Sequence, residues 1–64
     1  MFISMLAPVM ANRKITTNIL SDKIGCSANV ITRIKEGKIE PSLEMAIRIA
    51  KILDCDVIDI FNYD

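Results

Sequence analysis

The chain has 64 residues, 52% of them apolar, with mean hydropathy +0.37 and eight basic residues balanced by eight acidic ones. That length suits a single domain over 1–64 and excludes two. No apolar run reaches the roughly 18 to 20 residues that cross a bilayer, and the opening MFISMLAPVMANRK lacks the basic start of a secretory signal.

A chain this short buries only about 60% of the surface its unfolded form exposes. Apolar side chains left over on the surface predict a homodimer. There is no histidine, and the two cysteines, Cys26 and Cys55, match neither a zinc spacing nor CxxC. No metal and no cofactor are therefore expected, and the thiols read as small buried groups of a cytoplasmic protein.

The charge is unevenly placed. Residues 1–39 carry Arg13, Lys14, Lys23, Arg33, Lys35 and Lys38 against Asp22 and Glu36, a net of +4. Residues 40–64 carry Arg48 and Lys51 against Glu40, Glu44, Asp54, Asp56, Asp59 and Asp64, a net of −4. Such a split can orient a neutral protein on a polyanion.

In chain order, Met1-Phe2-Ile3 reads as a short strand or arm. Ser4 is a candidate N-cap for a first helix to about Arg13, with Leu6, Val9 and Met10 on one face. Pro8 is tolerable only near the first turn, which argues for a start after Ser4. Thr16 caps a second helix, Thr17 to Ile24, with Leu20 and Ile24 inward and Gly25 at its end.

Ser27 caps a third helix, Ala28 to about Glu36, closed by Gly37, with Ile31 and Ile34 inward. Pro41 disfavours helix at Glu40, so residues 38–41 form a loop. Ser42 caps a fourth helix, Leu43 to Leu53, whose stripe is Leu43, Ala46, Ile47, Ala50 and Leu53, widened by Ile49 and Ile52. Asp56, with Asp59 three residues on, starts a last short helix. Residues 60–64 alternate apolar and polar, a candidate strand for pairing with residues 1–4 of the same chain or a partner's. The expected fold is all-α, a compact bundle of about five short helices with a short strand at each terminus.

Residues 16–35 place two capped helices either side of a glycine turn, the helix-turn-helix pattern. Small Ser21 lets the helices approach, and Ile31 and Ile34 lock the third helix to the core. Its opposite face then carries Ala28, Asn29, Thr32 and Arg33 at helical spacing.

The chain resembles the lambda-repressor-like regulators, also called the Xre or Cro type, over most of its length. The family's runs are a Leu-Thr-Gln start, Leu-Ala, Gly-Val-Ser, Ile-Ser, an Asn-Gly loop and Pro-Ser-Leu. Here they stand as Ile15-Thr16-Thr17, Leu20-Ser21, Gly25-Cys26-Ser27, Ile31-Thr32, Glu36-Gly37 and Pro41-Ser42-Leu43, with Ala46, Ile49-Ala50 and Asp59-Ile60-Phe61 following in register.

The resemblance implies a sequence-specific transcriptional regulator, most often a repressor, that binds double-stranded DNA as a homodimer on an inverted repeat. It puts Ala28, Asn29, Thr32 and Arg33 at base-reading positions: Asn29 for adenine, Arg33 for guanine, and Ala28 or the Thr32 methyl for a thymine methyl. Thr17, Ser27, Lys35, Lys38 and Ser42 would approach phosphates, with Lys14 and Lys23 as further candidates. Phe2, Ile52, Val57, Ile58, Phe61 and Tyr63 form the candidate dimer surface, although Phe61 equally suits the protein's own core.

Three departures from the family pattern bear on this. Thr17 replaces a common Gln, shortening the reach from the second helix. Met10 and Lys35 stand where many relatives pair an Arg with a Glu, so an apolar contact is expected to substitute there. Glu36 and the neutral total charge predict modest nonspecific affinity, with about four to six phosphate contacts per subunit. No base partners Ser27 or Cys26 as a nucleophile, so catalysis is not expected. The competing reading is a protein-interaction module of the same fold, antitoxin-like or phage antirepressor-like.

Overall fold

A computed structural model describes the whole chain, Met1–Asp64. Strand β1 (Phe2–Ser4) leads into helices α1 (Leu6–Arg13), α2 (Thr17–Ile24), α3 (Ala28–Lys35), α4 (Leu43–Leu53) and α5 (Val57–Ile60), and strand β2 (Phe61–Tyr63) follows directly.

Local chemistry sets most of the helix starts. The hydroxyls of Thr16, Ser27 and Ser42 accept from the amides of Ile19, Val30 and Met45, which would otherwise lack partners. At α5 a reciprocal box forms, with the Asp56 amide donating to the Asp59 carboxylate at 3.2 Å. Helix α1 is the exception. Its N-cap is Met5, without a side-chain bond, and Ser4 instead accepts from the Leu6 amide at a long 3.4 Å. Pro8 is the third helical residue, where its missing N–H costs nothing because no carbonyl lies in reach.

Three helices end in the left-handed region: α1 at Lys14 (φ 59°), α2 at Gly25 (φ 87°) and α4 at Asp54 (φ 56°). At the turn after α2, the Gly25 and Cys26 amides both donate to the Ser21 carbonyl, which reverses the chain within three residues.

The core runs through every helix. Leu6, Leu20, Ile31, Ile34, Ile49, Leu53 and Ile60 are sealed from solvent, each contributing about 1.5–3 kcal/mol by transfer from water. Met10, Ile24, Ala46, Ala50 and Phe61 complete it. The stripe of α4 is rotated from its expected phase. Ala46, Ile49, Ala50 and Leu53 face inward, whereas Leu43 is 74% exposed and Ile47 40% exposed. With eight apolar residues among eleven, several phases of that helix bury a continuous stripe, and packing against α2 selects one.

The terminal strands pair with each other in the same chain. They run antiparallel with Phe2 opposite Tyr63, Ile3 opposite Asn62 and Ser4 opposite Phe61. The Met5 amide extends the pairing to the Ile60 carbonyl at 2.6 Å, and the Asp64 amide to the Met1 carbonyl at 2.8 Å. The Phe2 ring stacks on Phe61 at 5.8 Å and tilts against Tyr63 at 5.9 Å. No helix is long and apolar enough to cross a membrane.

Candidate nucleic-acid interface

Helices α2 and α3 pack on one another through Leu20, Ser21, Ile24, Ile31 and Ile34, all buried. Ser21 fits because its hydroxyl turns back to donate to the Asn18 carbonyl at 3.0 Å, which satisfies a polar group inside the contact. Arg48 of α4 donates to the Ile24 carbonyl at 2.9 Å, so a cation closes the C-terminal end of α2. Sequence reasoning gave Arg48 no role.

With Ile31 and Ile34 inward, the opposite side of α3 leaves Asn29, Thr32 and Arg33 exposed and Ala28 half-buried. The side chains of Asn29 and Arg33 make no hydrogen bond or ion pair within the protein. Thr32 differs. Its hydroxyl donates to the Ala28 carbonyl one turn earlier, at 3.0 Å.

Lys35 and Thr17 meet directly, the Nζ of Lys35 donating to the Thr17 hydroxyl at 3.0 Å between the last residue of α3 and the first of α2. Met10 is buried in the core, so the pair expected at positions 10 and 35 gives way to a polar tie at positions 17 and 35. Ser27 and Ser42 lie exposed at the starts of α3 and α4, each with its oxygen accepting a cap bond and its proton free to donate. Lys38, on the intervening loop, forms an exposed ion pair with Glu36 at 3.5 Å. No hydrogen bond links Ser27, Lys38 and Ser42 to one another. Lys14 and Lys23 are exposed at the ends of α1 and α2.

The candidate dimer residues divide by burial. Phe61 belongs to the protein's own core; Phe2, Ile52 and Val57 are half-buried; Ile58 and Tyr63 are 67% and 63% exposed. Phe2, Val57, Phe61 and Tyr63 border a groove of about 270 Å³ that also takes in Leu43 and Glu40. The neighbouring Glu40 carboxylate raises the Tyr63 phenol above its ordinary value. Burial pushes the Cys55 thiol up, Asp59 adds to the effect, and Arg13 opposes it. Both cysteines are free, and no group of three or more His, Cys, Asp or Glu is placed to hold a metal ion.

Comparison with known proteins agrees with this geometry. Residues 5–64 match the model of the Cro/C1-type HTH DNA-binding domain. The chain is 39% identical over 54 residues to an uncharacterized HTH-type transcriptional regulator of Methanocaldococcus jannaschii, covering 84% of this chain and 82% of that protein. A second such regulator, from Archaeoglobus fulgidus, is 32% identical over 54 residues, covering 84% and 76%. The crystal structure of a Bacteroides fragilis protein described as a candidate DNA-binding protein superposes with a TM-score of 0.91 at 31% identity, covering 97% of this chain and all of that one. A helix-turn-helix with an unobstructed outer face, matched over nearly its whole length by the domain model, establishes that the chain belongs to the Cro/C1-type HTH DNA-binding family.

Proposed function

We propose that the protein is a sequence-specific transcriptional regulator, a repressor that binds an inverted repeat as a homodimer with α3 in the major groove. The observation that carries this reading is the division of α3, with Ile31 and Ile34 sealed below and Asn29, Thr32 and Arg33 open above. In it, Asn29 pairs with adenine and Arg33 with guanine, while Ala28 and Thr32 complete the contact with base edges. Thr17, Ser27, Lys35, Lys38 and Ser42 hold phosphates and fix the register of the helix. Lys14 and Lys23 add charge at the flanks.

A second copy would join through the acidic half, over Phe2, Ile52, Val57, Ile58 and Tyr63, with Phe61 supporting them from the core. The exposure of Ile58 and Tyr63 beside the groove supports that surface. The two free thiols suit a reducing cytoplasm.

Titration against random and selected duplexes at two salt concentrations tests the reading. Tighter binding to selected duplexes, weakened by salt, is expected; no binding to any duplex at low salt would overturn it. Sedimentation should show a dimer, and a monomer at high concentration would remove the second copy. A protein-interaction module is the alternative, favoured by the exposed Leu43 and Ile58. It predicts a stable complex with another protein and no retention on DNA.

A further inference from the structure

The two-stranded sheet has two outer edges, and they differ. Ile3 faces Asn62 across the ladder, and the bonds joining Met1 to Asp64 and Met5 to Ile60 fix the alternation. The amides and carbonyls of Phe2 and Ser4 therefore point away from β2, and none of them has a hydrogen-bond partner. On the β2 edge the donors are already used. The Phe61 amide donates to the Val57 carbonyl, and the Tyr63 amide to the Asn62 side chain at 2.9 Å. Only β1 offers alternating donors and acceptors to another strand. It also lacks the devices that keep edges apart, with no charged residue, proline or bulge along Met1–Met5.

The side chains along β1 say which strand fits. Met1, Ile3 and Met5 are exposed and alternate with half-buried Phe2 and Ser4. The exposed set reads Met-x-Ile-x-Met, the same in both directions about Ile3. An antiparallel strand of the same sequence therefore matches it residue for residue. Resting on the homodimer reading above, we propose that two copies join edge to edge through β1, making one continuous sheet in the order β2–β1–β1–β2. Phe2 exchanges both backbone bonds with Ser4 of the partner subunit, and the two-fold axis repeats the exchange. Ile3 lies on that axis as a non-hydrogen-bonded pair, its Cα about 4.5 Å from its copy, and each Met1 faces a Met5. This two-fold symmetry is the one an inverted repeat requires, and β1 lies outside the helix-turn-helix of residues 16–35.

Oxidative cross-linking of the full chain, with Cys26 and Cys55 replaced by Ser, tests the pairing. Ile3→Cys should form an intermolecular disulfide readily, because its Cα atoms fall within the range that a disulfide spans. Asn62→Cys should not. Position 62 is exposed beside Ile3, but three strand spacings, about 14 Å, separate it from its copy. Ile3→Lys puts two like charges on the axis and should raise the dimer dissociation constant in sedimentation by at least about tenfold. Its helical circular dichroism should match the parent, because position 3 is exposed; should it unfold, the cross-links alone decide. Absence of the Ile3→Cys link, equal linking at both positions, or a dimer undisturbed by Ile3→Lys would overturn the β1 pairing and leave a homodimer formed elsewhere. A parent chain that stays monomeric at high concentration would overturn both.

Discussion

Lys35 and Thr17, eighteen residues apart, are joined by a hydrogen bond of 3.0 Å that ties the last turn of α3 to the first turn of α2. A charged donor in a half-buried setting fixes the angle between the two helices at the edge of the recognition face. It also brings a cation to the Thr17 hydroxyl, which keeps its own proton to donate, so in the proposed complex the two would share one phosphate.

Replacing Lys35 by Met should cost about 1 kcal/mol of stability, the net worth of such a bond. In a double-mutant cycle with Thr17→Val, urea unfolding should give a coupling of at least about 0.5 kcal/mol. Additive costs would mean that the two side chains do not interact. DNA affinity should fall by more than the loss of one exposed Lys, because the helix angle changes as well.

The left-handed caps make opposite predictions at matched backbone angles. Gly25→Ala has open space for its Cβ but a φ of 87°, and should destabilise by about 1–2 kcal/mol. Lys14→Gly, at φ 59°, should leave stability unchanged or raise it by up to about 1 kcal/mol, since relief of the backbone outweighs the added freedom of the unfolded chain. Denaturation midpoints check both, and a stabilising Gly25→Ala would contradict the turn geometry.

The Cys55 thiol, raised above its ordinary value of 9.0, should alkylate more slowly at pH 8 in the folded protein than in urea. Because the folded state holds this proton more tightly, its contribution to stability is complete below about pH 9. That contribution declines as pH rises through the folded value. Faster alkylation of the folded form would place Cys55 in a different environment.

Salt dependence should reveal the phosphate contacts. Lys38→Ala should lower affinity for all duplexes alike and flatten the log–log salt slope by about 1. Glu36→Gln releases Lys38 from its ion pair and should steepen that slope. If neither variant moved the slope, Lys38 would make no phosphate contact.

Helix starts at Thr16, Ser27, Ser42 and Asp56 were legible in the sequence because each depends on a side chain and an amide three residues away. The inward faces of α2 and α3 were legible for a related reason, their apolar residues being few enough to define one phase. Helix α4 carries too many, so Leu43 and Ile47 were expected inward and lie exposed. The start of α1 was only bracketed: Pro8 argued for a later start than Ser4, and the helix begins at Leu6. Contacts that join distant helices left little local trace. Neither the Lys35 bond to Thr17 nor the Arg48 bond to Ile24 follows from spacing, since both depend on how helices cross. The Thr32 bond to Ala28 spans four residues, yet a sequence alone does not choose between that rotamer and one pointing outward.

Arg33→Ala offers the most direct test of the claim that α3 reads bases in the major groove. Its affinity, measured against a selected half-site and the three other bases at each position, should fall by about 1–3 kcal/mol. The loss should be confined to one guanine, where all four bases become nearly equivalent. Unchanged affinity and an unchanged preference at every position would remove Arg33 from the readout and contradict the placement of α3.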